Sequence, residues 1–318
     1  MPQIAAIGEV MIELAPAGTD ATSGKAMNTL SFAGDTYNTV VTLARLGIDA
    51  SYVSRLGDDR FSDNIIANLS DENVATNTIE RAKGEVPGLY MIQNTPDGER
   101  EFFYWRGQAP AKQMFASANT PALLDSLSAH PWLYFSGITL AIISEQARAT
   151  LFGFLASYRA NGGKVAFDSN YRPRLWANPE LAQQATIAAL AQTDLALLTL
   201  DDEALLWGDS DDLLADAQKR YQSLEISELV FKRGADDVII VQGDSEQRVS
   251  VPKVENIIDT TAAGDTFNAG YLSARLKGEP PVKAAQEANR CANIVIRHRG
   301  GVIPKEVFLE EHRALLKQ

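Results

Sequence analysis

The run from Asp259 to Gly270, Asp-Thr-Thr-Ala-Ala-Gly-Asp-Thr-Phe-Asn-Ala-Gly, packs small residues, hydroxyls and two carboxylates into one short stretch. It follows the strand-like Asn256-Ile257-Ile258 and precedes a helix-like run ending near Leu276. Small residues let the main chain approach a ligand closely, and unpaired N–H groups at a helix start point at any anion placed there. A phosphate would be held without a side chain. Asp265 would then stand beside it, placed to accept a proton from a hydroxyl attacking phosphorus. The same residues also suit an ordinary capped helix.

Two further segments weigh on that choice. Ala33-Gly34-Asp35-Thr36-Tyr37-Asn38-Thr39 is a small-residue turn opening a helix from Asn38 to Leu46, with Asp35 and Asn38 offering polar groups one turn apart to the hydroxyls of a sugar. Phe167 to Trp176, Phe-Asp-Ser-Asn-Tyr-Arg-Pro-Arg-Leu-Trp, follows a strand-like run and carries Arg172 and Arg174. Guanidinium groups bind carboxylate or phosphate bidentately, so this segment suits an anionic ligand; a surface ion pair is the plainer alternative.

The elements that must position these residues are short apolar runs alternating with helix-period stretches. Val165 to Asp168, Leu195 to Leu198 and Leu229 to Lys232 read as buried strands, with amphipathic helices over Ser144 to Ala160 and Pro179 to Gln192. The alternation predicts an α/β fold with a mainly parallel sheet covered on both faces, whose ligands bind beyond the carboxyl ends of the strands. Residues 86–106 break the pattern. They read as two strands about the turn Asn94-Thr95-Pro96-Asp97-Gly98, and a second hairpin is expected at Val238 to Val241 and Gln247 to Val251. In the first hairpin Phe102, Tyr104 and Arg106 share one face, and Tyr90 and Tyr104 lie equidistant from Asp97, so Tyr90 should oppose Tyr104. A cleft-facing Tyr-Tyr-Arg patch follows, although aromatic cross-strand pairs are common in any hairpin. The whole reads as one domain over 1–318, with a lid sheet from about 10–33 and 86–108.

Composition narrows the function classes. The 318 residues are 45% hydrophobic and 22% charged, with one cysteine and three histidines, so disulfides and Cys-cluster zinc sites are excluded and a reducing, cytoplasmic setting is expected. A net charge of −12 opposes binding to nucleic acid or an anionic membrane. The first residues carry neither a basic region nor a long apolar run, and no segment approaches the roughly 20 apolar residues of a membrane helix. Gly18 to Lys25 is not a phosphate loop, because five residues instead of four separate its glycines and Ala26 replaces the magnesium-binding hydroxyl. Cys291 reads as a small buried hydrophobe. The exposed edge of the lid sheet suits a homo-oligomer.

The two Gly-Asp segments, in this order and separation, resemble the two signatures of the ribokinase-type (PfkB) carbohydrate kinases, and the likeness covers nearly the whole chain. The Tyr-Trp-Arg and Asn-Tyr-Arg-Pro-Arg-Leu-Trp elements are similar to those of the 2-keto-3-deoxygluconate kinases within it. The resemblance implies a ribokinase-like fold, and an ATP-dependent kinase acting on the terminal hydroxyl of a sugar acid with Mg2+ and a monovalent cation. It assigns Asp265 as base and the backbone of Ala262, Ala263, Gly264 and Asp265 as anion hole. Gly34, Asp35 and Asn38 become the sugar-contacting turn, and Tyr90, Tyr104, Arg106 and Arg172 the holders of the keto-acid. Asn170, Arg172, Lys232, Gly234, Ala235, Ala263, Gly264 and Asn289 fall on the nucleotide side. The chain departs from the pattern at Ala33 and Ala262, where glycine is usual, and at Leu200, where the asparagine of the magnesium motif is lost and only Glu203 is kept. The methyl of Ala262 demands negative φ or some strain. Kinases of a neutral ketose or nucleoside, and a non-catalytic sugar-acid sensor, remain open alternatives.

Overall fold

A computed structural model describes residues 2–94 and 100–317. The strands are β1 (Ile4–Ile7), β2 (Met11–Thr19), β3 (Ala26–Ala33), β4 (Ala50–Gly57), β5 (Ile79–Ala82), β6 (Leu89–Asn94) and β7 (Arg100–Trp105). They continue with β8 (Trp132–Ser136), β9 (Lys164–Asp168), β10 (Leu195–Thr199), β11 (Glu228–Lys232), β12 (Val238–Gln242) and β13 (Ser245–Val249). The helices are α1 (Asp35–Arg45), α2 (Arg60–Asp71), α3 (Thr120–Leu127), α4 (Gly137–Ile142), α5 (Glu145–Ala160) and α6 (Pro179–Leu190). After them come α7 (Leu200–Trp207), α8 (Leu213–Tyr221), α9 (Ala263–Leu276), α10 (Pro281–Val295) and α11 (Lys305–Leu315).

Among the described residues the main sheet has the order β13-β12-β11-β10-β9-β8-β1-β4-β5. It is parallel from β5 to β11, and β12 and β13 complete it as an antiparallel hairpin. Its strands are buried on both faces, as the unbroken apolar runs require: Ile4 and Ala6 join one apolar cluster, Ala5 and Ile7 the other. Parallel order sends β1, β8, β9, β10 and β11 to one edge with their carboxyl ends together, so Glu9, Ser136, Asp168, Thr199 and Lys232 converge there.

A separate four-stranded sheet has the order β3-β2-β6-β7, two antiparallel pairs joined by a parallel contact between β2 and β6. Tyr90 is paired with Tyr104 in register, and Tyr90 is buried while Tyr104 is 49% exposed. The turn residues 95–99 lie outside the described residues. Two local expectations fail. Asn256 to Ile258 forms no strand: Ile257 and Ile258 are exposed, and the amide of Ile258 bonds to the carbonyl of Ile296. The early helix begins at Asp35 instead of Asn38, because Gly34 caps it in extended backbone (φ 176°). No helix among the described residues is long and apolar enough to cross a membrane.

Candidate active site

A crevice opens beside the small sheet, lined by Glu13, Ser31, Ile92 and Arg100 on that side and by Thr261 and Gly300, next to the start of α9, on the other. Thr260 to Ala262 turn sharply into this helix, with Ala262 at φ 59° and ψ 15°. Of the two outcomes expected for its methyl, negative φ or strain, the second occurs. A left-handed alanine is strained by about 1 kcal/mol or more, and the gain is a turn that aims the helix start at the crevice. The amide of Ala263 is taken by the carbonyl of Thr260 at 3.2 Å. Of the four residues expected to line an anion hole, Ala263 thus has its amide engaged, while the amides of Gly264 and Asp265 have no acceptor within the helix.

Asp265 is held from α1. The amide of Asn38 donates to its Oδ2 at 2.8 Å, and the hydroxyl of Thr39 donates to its backbone carbonyl at 3.1 Å. Gly34 makes this approach possible: a Cβ there would lie 2.1 Å from the carbonyl oxygen of Glu9, so any side chain would push α1 off the end of β1. Asp35 accepts from Nδ2 of Asn170 at 3.0 Å, which ties Asn170 to the turn that opens α1. Burial and the neighbouring Asp35 and Asp168 push the Asp265 carboxyl up to about 8, against the opposing pull of Asn38 and Lys232. Asp35 and Glu9 are likewise raised, chiefly by burial. Gathered together, these carboxyls disfavour one another's charged forms.

Lys232 ends β11 with its ammonium 3.0 Å from both Asp168 Oδ1 and Asn268 Oδ1, and a Cβ added to Gly264 would stand 3.9 Å from it. Asn268 also donates to Asp168 at 2.9 Å and to the hydroxyl of Tyr134 at 3.2 Å. This buried network fixes one positive charge beside the helix start. Sequence reading placed Lys232 nearby but missed Asp168, Asn268 and Tyr134. Asp168 could have been found, since it closes a predicted strand at its carboxyl end.

The small sheet brings Tyr90, Phe102, Tyr104 and Arg106 over the crevice, with Tyr90 and Tyr104 ring centroids 5.7 Å apart. Tyr90 donates to Glu13, and Arg106 forms a mostly buried ion pair with Glu9. Glu9 and Glu13 were not singled out in the sequence. Arg172 bonds to the carbonyl of Tyr171 at 2.7 Å and to Asp202 at 3.2 Å. The two arginines expected to grip a ligand carboxylate thus both meet carboxylates of the protein. Tyr104 lies within the fields of Arg106, Arg172 and Arg174, which gathers positive charge where the three elements meet. Arg100 donates to Asp259 at 2.6 Å and to Thr261 at 2.8 Å, tying the small sheet to the turn before α9.

Four expected positions lie apart from this cluster. Gly234 and Ala235 occupy the exposed loop after β11. Asn289 is buried on α10 and donates to the carbonyl of Ser250 at 3.3 Å. Glu203, expected at a metal, is fully buried under α8 and accepts from the hydroxyl of Tyr221.

A family model described as pfkB family carbohydrate kinase matches residues 1–307. The 2-dehydro-3-deoxygluconokinase of Dickeya dadantii (strain 3937) is 44% identical over 314 residues, spanning 96% of this chain and 98% of that one. A 2-dehydro-3-deoxygluconokinase structure from Thermotoga maritima aligns with TM-score 0.81 and 22% identity over all of both chains. A putative ribokinase II from E. coli, in complex with ATP and Mg2+, aligns with TM-score 0.82 and 22% identity over 100% of this chain and 99% of that one. The two solved structures share the fold described above.

Proposed function

The chain belongs to the pfkB family of carbohydrate kinases, and from that premise we propose that it transfers the γ-phosphoryl group of ATP to the terminal hydroxyl of 2-keto-3-deoxygluconate. That compound is the 2-dehydro-3-deoxygluconate of its relatives' name, and the products are ADP and 2-keto-3-deoxy-6-phosphogluconate. One observation carries the chemistry: a carboxylate with its affinity for protons raised to about 8 stands at the start of a helix whose free amides face the same crevice.

In this reading Asp265 takes the proton from the acceptor hydroxyl as its oxygen attacks phosphorus. The amides of Gly264 and Asp265 hold the migrating phosphoryl oxygens, and Lys232 adds a fixed positive charge beside them. Asn38 aims the base, while Asp35 and Asn170 receive the sugar's hydroxyls. The small sheet, residues 10–33 and 86–108 of the single 1–318 domain, acts as the lid. Tyr90 and Tyr104 line it, and Arg106 and Arg172 draw in the sugar acid's carboxylate, Arg172 by exchanging a weak, half-exposed ion pair for the ligand. ATP comes as its magnesium complex, which supplies charge neutralisation; buried Glu203 does not fit a role in holding that metal. The monovalent cation implied by the resemblance is tested by comparing turnover in potassium and tetramethylammonium chloride.

The deciding experiment measures ADP release with 2-keto-3-deoxygluconate, gluconate, fructose, ribose and adenosine. Turnover with the keto-deoxy acid at least tenfold above the others supports the reading. Preference for fructose, ribose or adenosine would overturn the substrate assignment, and no ADP with any of them would overturn the kinase.

A further inference from the structure

The motif Leu200-Asp201-Asp202-Glu203 opens α7 directly after β10, so its three acids project in three directions about the helix axis. Asp201 points to solvent, Asp202 is half-buried and Glu203 is buried. Glu203 is closed in by α8: Tyr221 donates to it, Trp207 Nε1 donates to the Tyr221 hydroxyl at 3.0 Å, and the Arg220 guanidinium lies 4.0 Å away. Arg220 is itself paired with Asp209 at 2.6 Å and stacked over Trp207 at 4.6 Å. These side chains brace α7 against α8 and leave the glutamate no opening to the crevice.

Asp202 lies on the other side of the helix. Its carboxylate accepts from Arg172 at 3.2 and 3.3 Å and stands within the fields of Asp168 and Lys232, the pair that borders the anion hole. The arginine is 51% exposed, so this contact exchanges readily for a divalent cation. Building on the kinase reading, we infer that Asp202, and not Glu203, is the α7 carboxylate that faces the magnesium ion of the bound nucleotide. The functional acid has moved one residue along the helix, and its neighbour has become part of the brace.

The test uses the whole enzyme with a non-hydrolysable ATP analogue, and reads Mn2+ affinity in the enzyme–nucleotide complex by electron paramagnetic resonance. Nucleotide affinity without metal is measured alongside by calorimetry. Asp202→Asn is expected to weaken Mn2+ at least tenfold, with metal-free nucleotide affinity unchanged or improved, and Asp202→Glu to restore part of the loss. Glu203→Gln and Tyr221→Phe are expected to lower the melting temperature while leaving Mn2+ affinity within twofold. Loss of Mn2+ affinity in Glu203→Gln with retention in Asp202→Asn, or retention in both, would overturn the assignment. Wild-type enzyme that binds no Mn2+–nucleotide would instead overturn the kinase reading, so the two failures are distinguishable.

Discussion

Asp265 combines the position proposed for the base with an unfavourable one, and the two are separable by experiment. Its folded proton affinity is raised to about 8 from an ordinary 3.8, so the folded protein keeps a proton that the unfolded chain releases between those values. The stability this carboxyl contributes is complete below pH 4 and is lost as pH rises through about 8. Asp265→Asn should therefore melt higher than wild type, by a margin that grows from pH 5 to 8 and is constant above it. The same variant should lose about 10²- to 10⁴-fold in turnover, since it lacks the base, and still bind both ligands. Near-normal ADP release would end the base assignment. For the free wild-type enzyme, kcat/KM should rise about tenfold per pH unit below 8 and level off above, because only the deprotonated carboxyl accepts the proton; a flat profile would refute this. Ala262→Gly removes a left-handed alanine. Relief of about 1–2 kcal/mol is partly offset by the greater freedom of glycine in the unfolded chain, about 0.4–1 kcal/mol. Calorimetry should find a gain below about 1.5 kcal/mol with turnover retained.

Two element contacts fix the crevice. The first is the strap from the small sheet, in which Arg100 of β7 holds Asp259 and Thr261 ahead of α9. Arg100→Ala should raise KM for the sugar acid several-fold with little change in melting temperature, because the guanidinium is part-exposed while Asp259 keeps the amides of Thr261 and Gly300. Unchanged KM in steady-state assays would remove the strap from the mechanism. The second is the close crossing of α9 and α10, where a Cβ added to Gly270 would lie 2.7 Å from Cα of Ala288. Gly270→Ala must part these helices, and a loss of about 1–3 kcal/mol in denaturant unfolding is expected.

At the scale of the molecule, the proposed site belongs to no single element: the main sheet supplies Lys232 and Asp168, α9 the amides, α1 the contacts that hold Asp265, and the small sheet the aromatic cover. Ligands bound across these parts stabilise the whole by mass action. At 100 times Kd each should add about 2.7 kcal/mol, or roughly 5 °C in melting temperature, in wild type and Asp265→Asn alike. The main strands, the helix to Leu276 and the Tyr90–Tyr104 pairing were legible in the sequence, because buried parallel strands, amphipathic helices and strand alternation each leave a local pattern of residue types. So were the Gly-Asp segments, since a close main-chain approach to an anion requires small residues in sequence. The chain alone also fixed the charge of −12 and the scarcity of metal-binding side chains. Tertiary structure decided the rest. Glu9 pairs with Arg106 from 97 positions away, Lys232 meets Asp168 across 64, and Asn38 reaches Asp265 across 227. No local pattern records such partners, since they are set by which strand ends the sheet brings together. The same holds for Asp202 and Glu203, adjacent in sequence and equal in charge, which only the packing of α7 on α8 turns towards opposite fates.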